Sequence, residues 1–242
     1  MSALRLLRGG GPPIRIGHRG AAALAPENTL EALRAGVAQG CDYVEFDVLS
    51  DAEGALVLAH SSRELPADVA TFDDALALLA AEGVGAHVDL KRRGLEEAVG
   101  AALRDHDLLE RSLVSSLDWA TLRGLRRYEP ALRVGLSYPE DRYGLSDRRT
   151  FAPLLAAGLA AMKRALPRLV GRWLERAGAS AAVVHRQLVT PSLIRACHHR
   201  GAAVWAWTVN DPAEVGRLVE WGADAIISDD PRILGPGKPS TM

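Results

Sequence analysis

The chain has little of what would cross-link a small scaffold: its 242 residues include only 2 cysteines, Cys41 and Cys197. They stand far apart with no Cys or His cluster near either, which argues against structural zinc and a disulfide framework and for a reducing compartment. An excess of one charge is also lacking. The 29 Lys and Arg balance 30 Asp and Glu, a formal net charge of −1, so bulk electrostatics predicts no nucleic-acid partner. No stretch approaches the roughly 18 apolar residues of a membrane span. Arg5 and Arg8 interrupt the first nine residues, so the unbroken apolar region of roughly 7 to 15 residues that a signal peptide needs is missing. The expectation is a cytoplasmic protein.

What is present is ordinary globular material, 48% hydrophobic and 24% charged, in a chain long enough for one large core. Short apolar runs alternate with helical periodicity, and no Ser/Pro/Gly linker divides them. One α/β domain over residues 1–242, with a core of about 13–234, is therefore expected. Strand candidates are Ile14–His18, Tyr43–Leu49, Ala86–Leu90, Ser112–Ser116, Leu132–Ser137, Ala181–His185, Ala203–Val209 and Ala225–Ser228. Eight is the number that closes a (β/α)8 TIM barrel.

Helix signals lie between them. Asn28 reads as an N-cap with Glu31 three residues on, and Leu30, Leu33 and Val37 share a face before Gly40. Asp211 with Pro212 opens a helix that Gly222 closes, and Thr190-Pro191 through Gly201 repeats that grammar. After the second strand, the turn Asp51-Ala52-Glu53-Gly54 and the alternating run Ala55–Ala59 predict a short hairpin at the barrel rim.

Chemistry concentrates on two strands. Alternation puts Glu45 and Asp47 on one face of the second, while Val44, Phe46 and Val48 take the other. His87, Asp89 and Lys91 share one face of the third. The apolar set belongs against helices, which aims the acids into the barrel near the strands' C-terminal ends, where barrel active sites form. Two carboxylates about 4 Å apart repel by about 4 kcal/mol at an effective dielectric near 20, so Glu45, Asp47 and Asp89 need compensation. Hard oxygen ligands without cysteine favour one divalent ion, Mg²⁺ or Ca²⁺ with Mn²⁺ also suited. The competing explanation is a salt-bridge network with Lys91 and arginines. His18 ends the first strand and His60 follows the hairpin; at one mouth they suit an acid and base pair.

These residues fall in motifs whose ordered set resembles the glycerophosphodiester phosphodiesterase family: His18-Arg19-Gly20, Pro26-Glu27-Asn28-Thr29, Glu45-Phe46-Asp47, the turn to His60, Asp89-Leu90-Lys91, Trp207-Thr208-Val209-Asn210 and Ser228-Asp229-Asp230-Pro231. The resemblance covers nearly the whole chain. It implies a TIM barrel, His18 and His60 as general acid and base, Glu45, Asp47 and Asp89 around one divalent metal, and Arg19 and Lys91 on the phosphate of a small-molecule phosphodiester. Trp207 would wall the glycerol carbons, and Trp205 on the same strand face reads as core. Glu27 and His87 are expected to support the site from behind. Ser116, His185 and Asn210 lie at C-terminal strand ends, and His106, His198 and His199 on helical segments are expected at the surface.

Three features depart from the family's pattern. Where the family carries an inserted subdomain, only Ser61 to Thr71 separates His60 from Phe72; Ser61 stands where an acid usually follows the histidine; and Asp89 replaces the usual Glu. A much reduced insertion opens the site and leaves the leaving alcohol undetermined. A column of Arg164, Arg168, Arg172 and Arg176 around Pro167, opposite Met162, Leu166, Leu169, Val170 and Trp173, reads either as an outer barrel helix or as a membrane-surface contact. The expected reaction yields glycerol 3-phosphate and an alcohol. A lysophospholipase D-like activity and a non-catalytic phosphate-ester binding barrel are the alternatives, and the oligomeric state is left open.

Overall fold

A computed structural model describes residues 5–62, 65–66, 68–139 and 152–235. Eight parallel strands form its centre: β1 (Ile14–Gly17), β2 (Tyr43–Ser50), β4 (Gly85–Leu90), β5 (Ser112–Ser116), β6 (Arg133–Tyr138), β7 (Ala181–His185), β8 (Ala203–Trp207) and β9 (Ala225–Ser228). β1 pairs with both β2 and β9, so the sheet closes on itself as a barrel. The short β3 (Leu56–Leu58) runs antiparallel to β2, Val48 opposite Leu58, and makes the rim hairpin.

Helices follow the strands: α1 (Leu30–Ala38), α2 (Phe72–Glu82), α3 (Glu96–Asp105), α4 (Trp119–Tyr128), α5 (Ala152–Ala177), α6 (Pro191–His198) and α7 (Pro212–Trp221). Side-chain oxygens begin most of them. Thr71 Oγ1 accepts from Asp74 N–H, Thr190 Oγ1 from Leu193 N–H and Asp211 Oδ1 from Ala213 N–H, each satisfying an amide that the first turn leaves without a partner. Gly222 ends α7 in the left-handed conformation. Among the described residues no helix is long and apolar enough to cross a membrane.

Two expectations need correcting. The cap of α1 is Thr29, whose Oγ1 accepts from Ala32 N–H, and Asn28 is turned instead into the barrel mouth. On α5, Leu166, Val170 and Leu174 pack into the shell between helices and strands, but Leu169 is 37% exposed. The apolar stripe of α5 is thus spent on the barrel, as in an ordinary outer helix, and the arginine column faces water.

Along the barrel axis the lining changes character. Ile14, Tyr43, Leu113, Ala181, Ala203, Trp205 and Ala225 fill the end where the strands begin. Arg5 and Leu6 cover it: Tyr43 Oη donates to Arg5 O and Trp205 Nε1 to Leu6 O. One layer higher the same strand faces carry Glu45 and His87, directly paired in register, then Asp47 and Asp89. The sequence therefore puts an apolar plug at one end and acids at the other.

Candidate active site

The loop after β1 is built to approach its neighbours closely. A Cβ on Gly20 would stand 2.5 Å from Ala32, and Gly20 has φ +94°, so glycine alone fits there. Arg19 adopts φ +47°, a costly conformation for a residue other than glycine and one that recurs at functional sites. The strain has a visible result, because Arg19 N–H donates to Glu45 Oε2 at 2.8 Å and Gly20 N–H to Glu45 O at 2.8 Å.

Glu45, Asp47 and Asp89 offer carboxylate oxygens within 4.8 Å of one another. Glu45 is 4% exposed and Asp47 1%. Burial, with the charges of Asp47 and Asp89 added, pushes the Glu45 carboxyl up to about 7 despite His18 and Lys91, a sign that its negative charge is under-compensated by the chain alone. Asp47 is the opposite case. Burial opposes its charge, but the His60 hydrogen bond and the charges of Lys91 and Arg19 hold it far below the usual carboxylate range.

The protein's own cations contribute to this. Lys91 Nζ lies 2.7 Å from Asp47 Oδ1 and also bonds Asp89. Burial works against the ammonium, yet these two carboxylates raise it above the ordinary lysine range. Arg19 Nε stands 3.1 Å from Asp47 Oδ2 at an angle that makes no hydrogen bond, and Arg19 Nη1 is clamped by both oxygens of Glu27 at 2.8 Å. A salt-bridge network thus coexists with an all-oxygen acid cluster, and Glu45 is the member for which no Lys or Arg side-chain pairing is found among the described residues.

The two imidazoles stand on either side. His18 Nδ1 is 2.6 Å from Asp229 Oδ1, and Nε2 lies 3.9 Å from Glu45 Oε2. Burial disfavours its imidazolium, but Glu45 and Asp229 more than offset this and raise the group above the usual histidine value. His60 Nδ1 lies 3.1 Å from both Arg19 Nη2 and Asp47 Oδ2. One tautomer accepts from the guanidinium and the other donates to the carboxylate, so the Nε2 that faces outward is protonated in the first and basic in the second. His87 is buried, and burial lowers it to about 4. As the neutral ring its Nε2 faces Ser115 Oγ at 3.0 Å, and Ser115 donates to Asp89 Oδ1 at 2.6 Å.

His18, Arg19, Glu45, Asp47, His60, His87, Asp89, Lys91 and Ser115 line one cleft of about 1210 Å³ at the C-terminal mouth, together with Trp207. Trp207 Nε1 donates to Val183 O, and its ring stands edge-on to His185 at 5.3 Å. Trp205 is fully buried below. Ser116 Oγ donates to Leu90 O. The remaining histidines are engaged elsewhere: His106 with Asp73, His198 with the buried Asp224, and His199 exposed beside α5.

Sequence reasoning read Asn28 as a helix cap and gave neither Asp229 nor Asn28 a role in the site. Asp229 follows β9, which closes against β1, and its second oxygen is bonded by Asn210 Nδ2, whose Oδ1 in turn accepts from Ser228 Oγ at 3.1 Å. Asn28, at φ +58°, donates to Asp47 Oδ2 and accepts from Asp47 N–H, both at 3.0 Å. The available signals were the position of Asp229 directly after a barrel strand and the tolerance of Asn for the left-handed region.

A closed parallel barrel with clustered acids, an imidazole on either side, and Arg19 and Lys91 at its C-terminal mouth has the make-up of a barrel hydrolase for anionic esters. The glycerophosphoryl diester phosphodiesterase family profile matches residues 18–151 and 82–233, and the chain belongs to that family, an enzyme of the phosphodiesterase class. It is 23% identical over 257 residues to the glycerophosphodiester phosphodiesterase of Caldanaerobacter subterraneus, spanning 90% of this chain and 95% of the relative. Its fold matches that of an Oleispira antarctica phosphodiesterase solved with the product sn-glycerol-3-phosphate, at a TM-score of 0.71 and 23% identity, covering 92% and 95% of the two chains. The Agrobacterium tumefaciens glycerophosphodiester phosphodiesterase gives 0.68 at 21% identity, covering 90% and 97%.

Proposed function

We propose that the protein hydrolyses glycerophosphodiesters to glycerol 3-phosphate and an alcohol, depends on one divalent metal, and uses His18 and His60 as its acid and base. The observation that carries this reading is the convergence of Glu45, Asp47 and Asp89 within 4.8 Å, flanked by two imidazoles in one cleft. Binding alone has no use for two histidines so placed.

The under-compensated, buried Glu45 fits an ion with hard oxygen ligands. Held by Glu45, Asp47 and Asp89, Mg²⁺, Ca²⁺ or Mn²⁺ would withdraw negative charge from the phosphate oxygens. The chain's own residues do the rest. Lys91 has three ammonium donors, of which Asp47 and Asp89 engage two, so one remains for the diester. Arg19, braced by Glu27, presents its guanidinium to a second oxygen. Trp207 gives the glycerol carbons an apolar wall. One imidazole removes a proton from the attacking oxygen as it bonds to phosphorus; a water gives glycerol 3-phosphate directly, whereas the neighbouring glycerol hydroxyl gives a cyclic phosphate first, which a water then opens to glycerol 3-phosphate. The other returns a proton to the alkoxide released as its P–O bond breaks. Asp229 keeps His18 Nδ1 protonated and so leaves Nε2 for this transfer.

The test is a screen of water-soluble glycerophosphodiesters with and without divalent ions, read as released glycerol 3-phosphate. Chelation is expected to stop turnover and readdition of an ion to restore it; full activity in chelator overturns the metal reading. H18A and H60A should each lower kcat by about 10² to 10⁴ with the fold retained, and near wild-type turnover removes the role given to that histidine.

One observation favours a second reading, lysophospholipase D-like activity. Leu117 and Trp119, 40% and 43% exposed, stand beside the cleft where an acyl chain would find apolar surface. Turnover of a lysophospholipid several-fold above that of its headgroup ester would establish it.

A further inference from the structure

The cleft extends past the acids to an outer arm over the loops that follow β3, β4 and β5, and its charges there are unequal. Two successive arginines, Arg92 and Arg93, line that arm one and two residues beyond Lys91. Arg93 is neutralised: its Nε lies 2.5 Å from Asp118 Oδ2 and its Nη2 donates to Asp118 Oδ1 at 2.9 Å. Asp118 also caps α4 by accepting from Ala120 and Thr121 N–H, so its carboxylate is fully committed. Arg92 differs. Its Nη2 donates to the neutral Ser62 hydroxyl at 2.5 Å, and no carboxylate is paired with it among the described residues.

Arg92 is thus the one cleft-lining Lys or Arg, among the described residues, without a carboxylate within ion-pair distance. A guanidinium tied to a hydroxyl keeps its full charge and four further donors in a fixed fork. Among the described residues the outer arm offers a cationic alcohol no free carboxylate. Glu45, Asp47 and Asp89 belong to the inner site, and Asp118 is taken by Arg93 and by the helix.

We infer that the alcohol half of the preferred diester carries its own anionic group, a carboxylate or a second phosphate, and that Arg92 with Ser62 selects it. This rests on the phosphodiesterase reading above and adds the class of leaving alcohol to it. The inner site needs one phosphate; the unpaired guanidinium implies a second negative group farther out.

The experiment uses the full chain with divalent ion and matched diesters: glycerophosphoglycerol as the neutral reference, its distal monophosphate ester, glycerophosphoserine for the carboxylate arm and glycerophosphocholine for the cationic one. The wild type is expected to favour an anionic alcohol over the neutral reference by about tenfold in kcat/KM, and the phosphate and serine arms show which anion it is. R92A should reduce that ratio about tenfold, and R92E should shift preference toward the choline ester. R93A combined with D118N, which removes both halves of an existing ion pair and keeps a side-chain oxygen at the cap of α4, should leave the ratio within about twofold. Equal wild-type turnover of neutral and anionic esters overturns the inference, as does an equal fall of the ratio in R92A and in the R93A/D118N pair. Hydrolysis of none of the four esters instead removes the phosphodiesterase reading, and this inference with it.

Discussion

Asp229 is the residue whose role depends most on geometry. A carboxylate 2.6 Å from His18 Nδ1 sets the tautomer and orientation of the ring, as outer partners of functional histidines commonly do. D229A is expected to lower kcat by roughly 10- to 100-fold with little change in the unfolding midpoint; unchanged kcat would detach Asp229 from catalysis. The cysteines make a simpler case. Burial pushes the Cys41 and Cys197 thiols up to about 12, and the thiolate is the reactive form. Iodoacetamide at pH 8 should therefore label neither in the native protein and both in denaturant, read by intact mass. At this scale, strand alternation exposed Glu45, Asp47 and Asp89 because two carboxylates on a buried face violate the core pattern. Local pattern placed Asp229 after a strand and Asn28 before a helix but could not supply their partners: Asp229 meets His18 only because the last strand closes onto the first, and the Asn28 side chain abandons the helix terminus for Asp47.

Among the elements, the β1–α1 loop is the most constrained. G20A would place a methyl 2.5 Å from Ala32 at φ +94°, so its backbone has to shift and take the Arg19 amide away from Glu45. A loss of at least tenfold in kcat is expected, together with lower stability of roughly 1 to 3 kcal/mol; an active, fully stable G20A would show that the loop tolerates displacement. Element existence was readable from caps and period, and ends less so. β8 stops at Trp207 where alternation ran on to Val209, and α1 begins one residue later than Asn28 suggested. The second shift arises because Asn28 leaves the helix terminus to bond Asp47. The basic column of α5 was legible as a stripe, but its use was not, since period alone cannot say whether an apolar face meets a sheet or a bilayer. R164E with R168E is expected to leave turnover of water-soluble diesters unchanged in a steady-state assay.

For the molecule as a whole, eight apolar runs in alternation with helices pointed to the barrel, because eight parallel strands are the number that closes one with its outer face covered by helices. The axial gradient follows from the same strand faces. Trp205, fully buried at the base, holds the plug together, and W205A should cost about 3 to 5 kcal/mol in chemical denaturation. The segment that covers this base includes Arg8, whose amide donates to Asp224 Oδ1 at 3.1 Å, beyond Arg5 and Leu6 on Tyr43 and Trp205. Since these residues sit at the pole opposite the mouth, a tag or surface linker attached at the amino end would hold the molecule upright with its catalytic opening turned away from the support. Immobilised enzyme prepared that way should keep its access to dissolved diesters.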